Sequence, residues 1–84
     1  MKSIVFSRHA REQMKECGAD EQEVILAVRT GEQVPTKLGR QSYRKNFQYD
    51  RVWGGKTYAT KQVLVVVAED PDALVVVTVY TFYF

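Results

Sequence analysis

The chain has 84 residues, and its 12 Lys and Arg against 10 Asp and Glu give a net charge of +2 at pH 7. This length predicts one domain over residues 1–84. A single cysteine, Cys17, excludes an intramolecular disulfide, and with a single histidine it cannot complete the ligand set of a zinc site. We therefore expect no metal and no cofactor, so that any catalysis rests on side-chain acids, bases and cations.

Two observations argue against export and membrane insertion. The N-terminal MKSIVF is too short for the apolar core of a signal peptide. The apolar runs at 63–68 and 73–82 are separated by the acidic turn EDPD, which predicts paired strands and not a membrane span. These features predict a soluble, cytoplasmic protein that does not bind membranes.

The first predicted elements are a short strand or extended lead-in over residues 2–6 and a helix over about 8–17. Ser7 is a good N-cap for this helix, and Gly18 is a good residue to end it. On a helical wheel Ala10, Met14 and Cys17 share an apolar face. The wheel places His9 between that apolar face and an acidic side, and it separates His9 from a basic stripe that comprises Arg8, Arg11 and Lys15.

A second helix is predicted to begin at Asp20, where Glu23 follows three residues later as in a capping box, and to end at Gly31. Two helices this short are not stable alone. The predicted helical hairpin must therefore pack on another element.

The remaining chain predicts that element, an antiparallel sheet. Residues 41–51 alternate aromatic and polar side chains, as in a half-buried strand. Gly54-Gly55 is a hairpin turn signal, and strands are predicted over about 57–68 and about 73–82. The sequence thus predicts an α+β fold with a three- to four-stranded antiparallel sheet, whose helices cover one face and leave part of the other open.

The last predicted strand suggests which face is open. Strict alternation puts Val75, Val77 and Val79 on one face. The other face begins with apolar residues and then carries the hydroxyl groups of Thr78 and Tyr80. Thr and Tyr are also ordinary residues of half-exposed strands.

The middle of the chain is basic. Residues 36–61 hold seven Lys and Arg against Asp50 alone, a net charge of +6, together with five aromatic residues. Cations interleaved with aromatics suit a nucleic-acid backbone with stacked bases. The alternative is a solvated strand face whose charges keep the sheet soluble. The candidate RNA-binding residues of this segment are Lys37, Arg40, Lys45, Arg51, Trp53 and Lys56.

Seven short motifs follow one another along nearly the whole chain. They are SRHA (7–10), Met14, Gly18, QEV (22–24), TGE (30–32), YR (43–44) and VVTVY (76–80). This series resembles a family of small bacterial domains of unknown function that is grouped with the RelE-type toxins, a set of metal-independent RNA-cleaving folds. The resemblance implies a RelE-like fold with a strand, two helices and an antiparallel sheet, and it implies endoribonuclease activity.

Metal-free RNA cleavage uses the 2′-hydroxyl of the substrate against the adjacent phosphate, so it acts on RNA and not on DNA. The protein must supply a base, an acid and cations that stabilise the phosphoryl charge. His9 is the candidate proton carrier, because an imidazole titrates near neutral pH. Arg44 and Lys61 are candidate phosphate ligands. Thr78 and Tyr80 are candidates for the same site, with Tyr80 orienting the phosphate, stacking on a base or donating a proton.

Each candidate also has an ordinary structural explanation. A histidine near the start of a helix is commonly bonded to a neighbouring strand. Arg44 and Lys61 suit a solvated strand surface, and Trp53 beside the glycine turn suits an aromatic folded back onto the sheet.

The leading hypothesis is a RelE-like toxin-type endoribonuclease that acts on RNA, free or on the ribosome, and has an antitoxin protein as partner. It requires His9, Arg44 and Tyr80 to converge on one phosphate, within about 10 Å of one another. Two alternatives stay open. One is a non-catalytic RNA-binding module, and the other is a protein-interaction domain whose sheet edge pairs with a partner or with a second copy.

Overall fold

The computed structural model of the chain describes residues 2–36 and 40–84 as an α+β fold. A short strand and two helices are followed by four strands. The elements are β1 (Ser3–Phe6), α1 (Arg8–Cys17), α2 (Glu21–Thr30), β2 (Glu32–Val34), β3 (Gln41–Trp53), β4 (Lys56–Glu69) and β5 (Ala73–Tyr83). Neither of the two helices found in the described part of the chain is long and apolar enough to cross a membrane.

All strands belong to one sheet in the order β1-β5-β4-β3-β2. β1 pairs with β5 in parallel, and the other neighbours are antiparallel. The predicted α+β class and the helical hairpin are confirmed, whereas the sheet has five strands and not three or four, and the parallel pair of β1 with β5 makes it mostly and not wholly antiparallel. The additional strand is β2, which pairs only with residues 42–44 of β3.

The helix ends follow the predicted capping chemistry. The Ser7 hydroxyl accepts a hydrogen bond from the Ala10 amide at 3.0 Å. At the start of α2, the Glu23 amide donates to Asp20 Oδ1 at 2.8 Å and the Asp20 amide donates to Glu23 Oε1 at 3.1 Å. Both caps satisfy amides that a helix leaves unpaired, which fixes where each helix begins.

The core lies between the helices and one face of the sheet. Its sheet side is made of valines, and Val63, Val65 and Val67 of β4 are fully buried. The helices and the turn between them contribute small or apolar residues to the same cluster: Ala10, Met14, Ala19, Val24, Ala27 and Val28. All of this apolar burial is on one side, so the sheet has a covered face and a largely uncovered one, on which Ser42 is nonetheless buried.

A β-bulge in β5 changes which valines face the core. Val66 pairs with Thr78 but Val67 pairs with Val76, so Val77 has no opposite residue. As a result Val76 and Val79 are both fully buried, and the predicted common face of Val75, Val77 and Val79 is wrong. Strict alternation fails here because the extra residue shifts the pairing by one position.

Candidate functional site

The sheet face that points away from the helices is here called the open face. Strand pairing places its side chains in rows across the sheet. One row runs from Arg44 through Leu64 to Tyr80, and the next runs from Asn46 through Gln62 to Phe82. In each row the outer residues are two strands apart, or about 10 Å between Cα atoms.

The β5 side of the open face is aromatic. Tyr80, Phe82 and Phe84 alternate along the chain, and they are 44%, 47% and 58% exposed. Large aromatic side chains usually bury most of their area, so three exposed ones at successive positions of one face form an unusual surface. We call these three residues the aromatic row.

The neighbouring side chains on β3 and β4 are polar except for Leu64, which lies between Arg44 and Tyr80, and Val66 next to Thr78. The Gln62 amide donates to Asn46 Oδ1 at 2.8 Å. Arg44 forms an exposed ion pair with Glu32 of β2. An exposed ion pair of this kind contributes little net free energy. The guanidinium can therefore exchange Glu32 for another anion. Thr78, one row away from Tyr80, is only partly exposed.

His9 is not on the open face. It is an exposed residue of the first turn of α1, on the helix-covered side of the sheet. Within residues 2–36 and 40–84 its ring has no hydrogen bond or ion pair. The structure therefore brings Arg44 and Tyr80 onto one face but does not bring His9 to them.

Lys61 lies on the covered face and is buried, with 6% of its side chain exposed. Its ammonium group donates to the Gly18 carbonyl at 2.6 Å and to Glu23 Oε1 at 2.7 Å. The rings of Tyr49 and Tyr83 lie 5.6 and 6.0 Å from it. In this arrangement Lys61 connects β4 to the junction of the two helices, and its positive charge is compensated by these two oxygen partners within the protein.

Trp53 also packs inward. Its ring stacks on Tyr83 with centroids 4.9 Å apart, and Tyr49 and Tyr58 contact Tyr83 from other sides. The Tyr83 hydroxyl donates to the Cys17 carbonyl at 2.7 Å. Burial raises the pKa of Tyr83 above its ordinary value. These aromatics cover the end of the β3–β4 hairpin beyond the helices.

The remaining predicted RNA-binding residues are dispersed. Arg40 and Arg51 lie near opposite ends of β3, roughly 35 Å apart along the strand. Arg51 and Lys56 are exposed near the hairpin turn, while Lys45 is half-buried on the covered face. Lys37 lies outside the described residues. These cations do not form one groove.

Sequence reasoning missed four residues of the open face: Asn46, Gln62, Phe82 and Phe84. A usable signal was present, because Phe82 and Phe84 continue the alternation that begins at Thr78 and Tyr80. Asn46 and Gln62 needed the register between β3 and β4, which local sequence does not fix.

In the described ranges, no three His, Cys, Asp and Glu side chains are close enough together to hold a metal ion. The groups available on the open face are thus aromatic and aliphatic side chains, amides, hydroxyls, the Arg44 guanidinium and the Glu32 carboxylate. They suit stacking, hydrogen bonding and contact with an anion.

Comparison with known proteins gives one assignment. No curated protein and no solved structure matches the chain significantly. A family model for a domain of unknown function, DUF4258, matches residues 6–81, which include both helices and nearly all of the sheet. The chain therefore belongs to the DUF4258 family.

Proposed function

We propose that this protein binds single-stranded RNA across its open face. The observation that carries the proposal is the aromatic row of Tyr80, Phe82 and Phe84, whose rings are exposed. Beside it lie the polar side chains of Arg44, Asn46 and Gln62, here called the polar strip. Exposed aromatic rings on a sheet stack with unpaired bases, and each such stack contributes about 1–3 kcal/mol.

The polar strip supports this choice of ligand. The Asn46–Gln62 pair carries amide donors and acceptors next to Phe82, where they reach the edge of a stacked base. Arg44 lies in the row of Tyr80, and its guanidinium has the planar geometry that binds two phosphate oxygens. A duplex is a poor ligand for such a surface because its bases are already stacked.

The test is the affinity for a labelled single-stranded RNA, measured by fluorescence anisotropy at low salt. Tyr80→Ala is expected to weaken binding about 5- to 150-fold, which corresponds to the loss of one stacked base. Arg44→Gln is expected to weaken binding less. It should also reduce the slope of log affinity against log salt concentration by about one, the value for one phosphate contact.

His9→Ala is the matched control, because His9 is exposed but lies on the other side of the sheet. It should retain the native affinity. An affinity that Tyr80→Ala leaves unchanged, or a native chain that binds no RNA, contradicts the proposal.

A second candidate function is metal-independent cleavage of the bound RNA by a RelE-like toxin mechanism. It is supported by the row in which Arg44 and Tyr80 flank Leu64, because a cation and a phenol then lie on one face. It has to work without His9, which the sequence-based hypothesis required and the structure does not bring to this face. In that reaction the substrate 2′-oxygen attacks phosphorus and loses its proton to solvent. The bond to the 5′-oxygen breaks, and the Tyr80 phenol gives that oxygen a proton.

Tyr80→Phe separates the two functions. It keeps the ring and hence the stacking, but it removes the proton donor. If the protein cleaves, native chain incubated with RNA yields ends with a 2′,3′-cyclic phosphate, Tyr80→Phe yields none, and single-stranded DNA stays intact. If the RNA stays intact after incubation with the native chain, the nuclease function is excluded and the binding function remains.

A further inference from the structure

The outer edge of β5 is only partly covered. β1 pairs with residues 73–76 of β5. The chain then leaves the sheet at Ser7, whose amide donates to the Val76 carbonyl at 3.0 Å and whose hydroxyl donates to the Val77 carbonyl at 3.3 Å. Among residues 2–36 and 40–84, no strand pairs with the outer edge over residues 77–83.

The register of the sheet shows which backbone groups that edge presents. Thr60 and Phe84 exchange both of their backbone hydrogen bonds, at 2.8 and 3.0 Å. Antiparallel pairs alternate between bonded and non-bonded, so every second residue of β5 directs its amide and carbonyl toward β4. The intervening residues Val79, Thr81 and Tyr83 therefore direct theirs outward.

We propose that a second copy of the chain occupies this edge through antiparallel pairing of β5 with β5. A two-fold axis at Thr81 brings Thr81 opposite its own counterpart and Val79 opposite Tyr83 of the second copy. Each outward amide then meets an outward carbonyl, so the edge is complementary to itself in this register. The two sheets become one continuous sheet.

Side chains on the open face support the same register. Between the bonded pairs, Tyr80 lies opposite Phe82 of the second copy, with Cα atoms about 4.5 Å apart. Directly opposed aromatic residues stabilise antiparallel strands. Both rings are nearly half exposed in the single chain, so pairing covers apolar area that is otherwise in water.

The charge pattern fits a second copy and not a charged partner. Residues 73–84 contain no Lys, Arg, Asp, Glu or Pro, which are the residues that usually protect an exposed edge from pairing. The two paired strands therefore carry no charges that would repel each other.

The first test is sedimentation velocity of the native chain without RNA, so that its outcome is independent of the proposed function. The mass is expected to rise from 9.7 kDa toward twice that value as concentration increases. A monomer at every concentration overturns the proposal, even if RNA binding is found.

The second test fixes the register with cysteines in a Cys17→Ser background. Tyr80→Cys and Phe82→Cys should form a disulfide-linked dimer when the two variants are mixed, because these positions face each other within disulfide reach. Each variant alone should crosslink poorly, since residue 80 does not face residue 80. Equal crosslinking of either variant alone overturns the axis at Thr81. Circular dichroism confirms that both variants are folded.

Discussion

Lys61 shows how a charged residue becomes part of a core. Its ammonium group has two oxygen partners, the Gly18 carbonyl and Glu23, and both are near the helix junction. Removing one member of a buried pair leaves the other charge without compensation. We expect Lys61→Met to lower the free energy of unfolding by about 3–5 kcal/mol, measured by urea denaturation.

Lys56→Met is the matched control, because Lys56 is an exposed lysine of the same strand. It should change the free energy of unfolding by less than about 0.5 kcal/mol. Adding Glu23→Gln to Lys61→Met should recover part of the loss, because it removes the unpaired carboxylate. If Lys61→Met is no more destabilising than the control, the buried pair does not support the helix junction.

For single residues, the sequence indicated which side chains could take part in a site, but it did not indicate which of them are exposed and which are buried. A basic, aromatic-rich segment is visible in the sequence, but the alternation of a strand sends neighbouring residues to opposite faces. Arg44 and Lys61 look alike in sequence, yet one is exposed on the open face and the other is buried under the helices. Only the pairing of β3 with β4 and the position of α2 separate them.

The end of α1 is a close approach between a helix and the β3–β4 hairpin. Gly18 has φ +79°, and a Cβ there would lie 2.7 Å from Trp53 and 2.9 Å from the Tyr83 hydroxyl. Gly18→Ala must therefore strain the backbone and also displace the stacked rings. We expect a loss of about 2–4 kcal/mol in the free energy of unfolding, since both costs add.

Gly54→Ala separates the cost of backbone strain from the cost of displacing the stacked rings. Gly54 has φ +60°, a similar left-handed conformation, but a Cβ there meets nothing within 4 Å. It should lose only about 1 kcal/mol, and its tryptophan fluorescence should stay native, whereas that of Gly18→Ala should change. Equal losses for the two variants would mean that the ring stack adds no constraint.

The helices were predictable because their signals are local. Ser7, Gly18, Asp20 and Glu23 act on amides and carbonyls within one turn, so their positions in the sequence determine the caps. β2 is three residues long and pairs with a strand that follows it, which leaves no alternation to detect. The bulge at Val77 depends on the register of β5 against β4, and that register is set by packing across the sheet.

The dimensions of the molecule explain why one face of the sheet is free. Each helix has ten residues and spans about 15 Å, whereas β3 and β4 run for about 40 Å. The molecule is accordingly elongated, with extents of 41 × 24 × 23 Å. Two short helices suffice to cover part of one face, and the aromatic cluster around Tyr83 covers the rest of the hairpin on that side.

The two proposals together predict how affinity depends on RNA length. In the paired form the aromatic rows of two chains lie side by side on one continuous open face. An RNA long enough to contact both rows binds the second as an intramolecular event, so its affinity should exceed that of a short RNA by about tenfold or more. A single chain offers one row and gains little from the added length.

Thr81→Pro tests this length effect without changing an aromatic residue. The Thr81 amide points outward, so proline removes a bond of the paired form and none to β4. The variant should bind short RNA like the native chain but lose the gain for long RNA. Thr81→Val controls for the hydroxyl, which donates to the Cys17 carbonyl at 2.7 Å, because it keeps the amide and should keep the gain. If Thr81→Pro retains the length effect, a long RNA contacts the two rows without this pairing, and the continuous face does not form.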